Sequence, residues 1–235
     1  MQLDFLAFGA HPDDAELFIG GTLAKLSDLG YATGVVDMSR GELGTRGTAA
    51  VRGREAREAA RILGLAVREN LGLPDGRITV TDAARLSVIR VLRKYRPRIV
   101  ATHYREDRHP DHVHTGRLVA EAVHHSGLAR IRTGQERYRP PVLLFFKLPW
   151  NVAPSFVVDV GDWVGRREAA IAAHRSQLYD PASREPATYL SQPDFLERVD
   201  SIHAWYGTLV GKRRAEAFHI GEALEISDPV AHFAP

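Results

Sequence analysis

The chain has 235 residues with 44% hydrophobic and 26% charged residues and a formal charge of +2, the make-up of an ordinary globular protein long enough for one good core. It has no cysteine, which excludes disulfides and thiolate chemistry and restricts any zinc site to His and carboxylate ligands. Among the cations only Lys25, Lys94, Lys147 and Lys212 are lysines. The rest are arginines, the better fork for anionic groups, which points to a small anionic ligand rather than nucleic acid. Met1-Gln2-Leu3-Asp4 lacks a basic start before the first apolar run, and no apolar stretch reaches bilayer length. The expectation is a cytoplasmic protein with no membrane partner.

Leu3 to Phe8 is an apolar run that predicts a buried first strand. Gly9-Ala10-His11-Pro12-Asp13-Asp14-Ala15-Glu16 follows, and a helix is expected from there to about Leu29, with Gly30 as its C-cap. Ala32–Met38 predicts a second strand. The ten residues from Ser39 to Thr48 hold three glycines, one acid and two arginines, a shaped loop rather than a linker. Arg52–Leu63 is amphipathic and helical, with Ala56, Ala59, Ala60 and Leu63 inward. Ala66–Leu71 predicts a short strand, Leu73-Pro74-Asp75-Gly76 a turn, and Thr81 caps a helix to Tyr95. Ile99–Thr102 is the next buried strand, and Arg108-His109-Pro110-Asp111-His112 leads into a helix from about Asp111 to Ser126.

Strand and helix alternate this far, which predicts an α/β fold with a Rossmann-like, mostly parallel sheet flanked by helices. The C-terminal part is less regular. Strands are expected at Val142–Phe146, Ser155–Asp159 and Glu222–Ile226, and helices at Val164–Gln177 and Pro193–Leu209. No repeat or linker interrupts the chain, so residues 1–235 read as one domain.

Both His-Pro-Asp clusters fall at the carboxyl edge of the sheet, where open α/β sheets bind ligands. His11 and Asp14, three apart on a tight turn, can chelate one ion, and His112 in the first turn of its helix supplies a third ligand. Asp13, beside the ion without binding it, suits a general base that deprotonates an attacking water. His109 faces the same cavity and can donate to an oxyanion, with Asp111 to orient its ring and raise its pKa. The implied reaction is hydrolysis of an amide or ester. In isolation Asp14 and Asp111 also read as helix caps, and the two-His-one-carboxylate set suits ferrous iron as well as zinc. His124, His125, His174, His203, His219 and His232 read as surface or structural positions.

His11-Pro12-Asp13-Asp14-Ala15-Glu16 together with His109-Pro110-Asp111-His112 resembles the zinc-dependent N-acetylglucosaminyl deacetylases of the PIG-L or LmbE-like family. The likeness extends to Asp37–Glu42, Gly47-Thr48 and the helix from Glu55 to Gly64. Glu106–His112, Ser126-Gly127-Leu128 and Ser176-Gln177-Leu178 resemble the bacillithiol-biosynthesis branch. The resemblance implies His11, Asp14 and His112 as zinc ligands, Asp13 as base, His109 at the oxyanion and Asp111 as its partner. It also implies N-acetylglucosaminyl malate as substrate, Arg52 and Arg108 as forks for its malate, and a homo-oligomer such as a hexamer. The chain departs from the pattern at Pro193-Asp194-Phe195, where a substrate-contacting Tyr is expected and Tyr189 stands nearby. Leu43-Gly44-Thr45-Arg46 resembles the mycothiol branch instead. The other readings are a mycothiol-type conjugate deacetylase or amidase, a chitooligosaccharide deacetylase, and a sugar- or metal-binding protein without chemistry.

Overall fold

The computed structural model describes residues 1–228, 230 and 231; His232 lies outside the described residues. Seven strands form one sheet: β1 (Phe5–Gly9), β2 (Thr33–Ser39), β3 (Val67–Leu73), β4 (Ile99–His103), β5 (Val142–Phe146), β6 (Phe156–Asp159) and β7 (Ala215–Ile220). Six α-helices accompany them: α1 (Asp14–Asp28), α2 (Ala49–Leu63), α3 (Asp82–Tyr95), α4 (Pro110–Ser126), α5 (Val164–Ala173) and α6 (Phe195–Thr208).

The strand order is β3-β2-β1-β4-β5-β7-β6. The first five strands run parallel, whereas β7 is antiparallel to both β5 and β6. The expected mostly parallel, Rossmann-like sheet is thus the one the chain forms. Every residue of β1 and β2 is buried, as strands covered on both faces must be. Alternate residues serve opposite layers. Leu6 and Phe8 pack with Val88, Leu92, Leu118 and Val119 of α3 and α4. Phe5 and Ala7 pack with Ile19, Leu23, Ala59 and Leu63 of α1 and α2. Chain direction across the sheet reverses between β1 and β4, and that switch point opens the crevice in which a ligand can sit.

Three sequence expectations are corrected, two of them in the C-terminal part. Glu222–Ile226 has no regular structure; the last strand is β7, whose Glu216 is fully buried and breaks the apolar pattern. Helix α5 stops at Ala173 instead of reaching Gln177. The third difference lies within α1, which is kinked at Ile19 (φ −140°, ψ 16°). Glu216 accepts the N–H groups of Gly21 and Thr22 at 2.8 and 2.6 Å across that kink. A Cβ on Gly21 would stand 2.8 Å from Val160 Cβ and 2.9 Å from Glu216 Oε1, so the close approach requires glycine. The kink leaves Leu17 and Phe18 lining the crevice.

Candidate active site

The turn after β1 and the turn after β4 meet as neighbours, because β1 and β4 are paired in register up to Phe8 and Thr102. His11, Asp14 and His112 offer ligand atoms that all lie within 4.8 Å of one another. His11 Nδ1 is 3.6 Å from Asp14 Oδ2, and His112 Nε2 is 3.3 Å from Asp14 Oδ1. Asp14 does not cap α1 with its side chain; its Oδ2 accepts the His11 N–H at 2.8 Å and tightens the turn.

Each imidazole is held from its far side by carboxylates. His11 Nε2 lies 3.1 Å from Asp75 Oδ1 and 3.4 Å from Asp111 Oδ2. His112 Nδ1 lies 3.1 Å from Asp107 Oδ2, which Lys147 Nζ also approaches at 2.7 Å. A His that donates one ring N–H to a carboxylate presents its other nitrogen as a lone pair, the usual arrangement behind a metal-ligating histidine. The donor set therefore fits a divalent metal ion, with two nitrogens and one carboxylate facing inward. Burial pushes the Asp14 carboxyl up, but His112 and His103 outweigh it and hold it well below the usual range. His11, His109 and Asp111 also lie close enough to share an ion. Their lone pairs are engaged elsewhere: Asp111 accepts from Gly76 N at 2.7 Å and Ile78 N at 3.3 Å, and His109 Nδ1 accepts from Asp111 N at 3.2 Å.

Asp13 occupies a backbone conformation that L-residues rarely adopt, φ 136° and ψ −24°. Such strain costs about 1–3 kcal/mol and is retained where the surroundings enforce it. Arg52 enforces it here, donating through Nη2 to Asp13 Oδ2 at 3.0 Å and to Pro12 O at 2.9 Å, and through Nη1 to Gly41 O at 3.2 Å. A Cβ on Gly41 (φ +65°) would collide with that guanidinium, so the glycine makes room for it. Burial pushes the Asp13 carboxyl up, against the pull of Arg52.

Two expectations about roles change. Arg52 is 4% exposed and both of its terminal nitrogens are engaged, with Asp13 and two carbonyls, so it does not present an open fork to a substrate carboxylate. The Asp111 carboxylate supports His11 rather than His109, because α4 starts at Pro110 and turns that side chain toward the Gly76 backbone. Burial, with the neighbouring His11 and His112, lowers the pKa of His109, and because Nδ1 accepts the Asp111 N–H, Nε2 is the nitrogen left to donate.

The cavity above these residues measures about 490 Å³. The loop after β2 contributes Leu43, Gly44 and Thr45, and α6 contributes Phe195, Val199 and Ile202. Arg108 also lines it, with its guanidinium 3.8 Å from the ring centroid of Tyr189, and Tyr189 meets Phe195 edge-on at 5.4 Å.

Sequence reasoning missed four residues around the site. Asp75 reads as a turn residue, yet it joins His11 to the β2 loop by accepting from Leu43 N at 2.9 Å. Asp107 reads as part of a family likeness only. His103, fully buried at the end of β4, stacks on His112 with centroids 4.2 Å apart, and burial pushes its pKa down to about 4. Arg68 bridges the buried Glu16 and Asp37, with His174 3.5 Å from Glu16 on the other side. The Arg-Glu alternation of the surface helices hides such a pair in the sequence.

A Rossmann-like sheet with a His/Asp/His group at its switch point, backed by carboxylates and flanked by a strained Asp, defines an α/β protein with a candidate metal centre of hydrolase type. The chain belongs to the PIG-L family, whose model, described as GlcNAc-PI de-N-acetylase, matches residues 6–123. The diacetylchitobiose deacetylase of Thermococcus kodakarensis is 29% identical over 97% of this chain and 86% of that protein. The crystal structure of the conserved protein TT1542 from Thermus thermophilus superposes with a TM-score of 0.87 at 37% identity, covering 96% of this chain and 98% of that one. The likeness to the bacillithiol branch is weaker than its motifs imply. A probable N-acetyl-alpha-D-glucosaminyl L-malate deacetylase 2 of Bacillus cereus is 27% identical over 75% of this chain and 84% of that protein. No helix among the described residues is long and apolar enough to cross a membrane.

Proposed function

We propose that this protein removes the acetyl group from an N-acetylglucosamine-type sugar by metal-dependent hydrolysis. The observation that supports it best is the placement of Asp13, locked by Arg52 beside the inward-facing atoms of His11, Asp14 and His112. A protein that only stores a metal has no use for a strained, buried carboxylate in that position. Zinc or ferrous iron held by His11, Asp14 and His112 supplies Lewis acidity toward the amide carbonyl and lowers the pKa of water.

Asp13 accepts a proton from the attacking water as the new C–O bond forms on the amide carbon. His109 donates through Nε2–H to the carbonyl oxygen as that oxygen gains negative charge. Asp13 then returns the proton to the sugar nitrogen, the C–N bond breaks, and the remaining acid proton passes to the amine, so that acetate and the ammonium form of the sugar leave. Asp111 and Asp75 keep His11 oriented throughout, and Asp107 does the same for His112.

A cavity of about 490 Å³ has room for one sugar ring and a second group of similar size. With Arg52 turned inward, Arg198 paired with Asp194 and Lys147 paired with Asp107, the lining favours a neutral saccharide as that second group, as in diacetylchitobiose. A second reading, N-acetylglucosaminyl malate, is favoured by Arg108, which makes no ion pair among the described residues. Tyr189 would stack on the sugar or hold Arg108 in place in either case.

Deacetylation rates measured side by side on diacetylchitobiose, N-acetylglucosaminyl malate and N-acetylglucosaminyl inositol test the reading. The neutral disaccharide is expected to give the highest kcat/KM. A clear preference for the malate conjugate, lost in Arg108→Gln, would establish the second reading. No release of acetate from any of the three by the metal-loaded protein would refute both.

A further inference from the structure

A cavity of about 660 Å³ lies behind the Pro12 turn and shares no lining residue with the catalytic one. Four arginines line it, and three of them, Arg40, Arg54 and Arg57, are exposed and in no ion pair among the described residues. Arg54 and Arg57 stand three apart on α2, so they project from one face of the helix. The other charged groups of the lining are already matched. Arg68 holds Asp37 at 2.9 Å, and Glu69 accepts from Lys94. Three positive charges are therefore left over, in a concave setting where their fields add. Ala49 and Ala50 bring the N-terminal turn of α2 to the same wall, and its partial charge has the same sign.

The rest of the lining decides what kind of anion fits. It has no aromatic ring, and its apolar members are alanines and Pro12. There is no face on which a nucleobase can stack and no apolar floor for an acyl chain. The volume far exceeds that of a single phosphate ion. We propose that this cavity is a second ligand site, for a small polyanion such as a phosphorylated or polycarboxylated sugar-sized molecule. Arginine suits it because its fork engages two oxygens of a phosphate or carboxylate at once. The site lies close to the catalytic machinery without entering it. Arg52, two residues before Arg54 on the same helix, donates to the carbonyl of Pro12, which lines the cavity.

Calorimetric titration of the metal-loaded full chain tests the proposal, with glucose 6-phosphate as the phosphate probe and tricarballylate as the carboxylate probe. The protein is expected to bind at least one of them saturably, more weakly as salt is raised. The Arg54→Gln/Arg57→Gln double variant, which alters only exposed side chains, is expected to lose at least about tenfold in affinity, the scale of one charge-assisted contact. Arg108→Gln, which removes the unpaired cation of the catalytic cavity instead, is expected to leave binding unchanged. Absence of saturable binding of both probes would overturn the proposal. So would a loss of affinity in Arg108→Gln with none in the double variant.

Discussion

Arg52 and Asp13 form a buried ion pair, Nη2 to Oδ2 at 3.0 Å, with the two side chains 5% and 8% exposed. The pair joins α2 to the turn after β1 and sets the basicity of the group proposed to move the proton. Burial raises the Asp13 pKa and the Arg52 charge lowers it. Removing Arg52 takes away the largest downward pull and leaves the weaker ones of His174 and His11.

Arg52→Met is therefore expected to move the acidic limb of the kcat/KM profile to higher pH, since the base is ionised only above its pKa. Turnover at neutral pH should fall by about 10²-fold, the lower end of general-base contributions. A pH–rate profile of wild type and variant measures both. Bound metal, read by elemental analysis, should stay near wild-type level, because Arg52 does not touch the ligand set.

The carboxylates behind the histidines carry a separate prediction. Asp75→Asn and Asp107→Asn each replace an anionic acceptor by an amide behind His11 and His112 respectively. Loss of such outer partners typically costs about 10–100-fold in metal affinity. Competition against a chelator measures it, and the two variants should each weaken binding while leaving the thermal melt of the metal-free protein within a few degrees.

The Glu16–Arg68–Asp37 group is buried and governs stability rather than chemistry. Arg68→Met strands two carboxylates and is expected to cost about 3–5 kcal/mol in denaturant unfolding. Burial raises the Glu16 pKa, but Arg68 and His174 outweigh it and bring it from 4.5 to about 2. A depressed carboxyl stabilises the fold fully above its unfolded pKa and loses that contribution as pH falls through the folded one. Wild-type stability should accordingly decline between pH 4.5 and about 2, and the Arg68→Met protein should show a shallower decline there.

The first half of the molecule was legible because its signals are local. Apolar runs bounded by Gly, Pro and Thr caps mark β1 to β4 and their helices, and two His-Pro-Asp turns at one sheet edge mark the crevice. What was not legible depends on contacts between distant segments. Glu216 looks like a surface residue until the kink in α1 supplies two N–H groups to it. Asp75 looks like a turn former until the sheet brings His11 to it. Arg52 looks like a free fork until Gly41 opens the space through which it reaches Asp13. In each case residue type identified a polar group, and only the fold determined its partner.

The proposed chemistry depends most directly on Asp13, and the measurement that tests it is deacetylation by Asp13→Asn with metal content determined on the same sample. Asn keeps the shape and tolerates the unusual φ better than most residues. Wild-type metal content is expected, with kcat lowered by about 10²–10⁴-fold. Wild-type kcat in a metal-replete Asp13→Asn protein would contradict the assignment of Asp13 as the base.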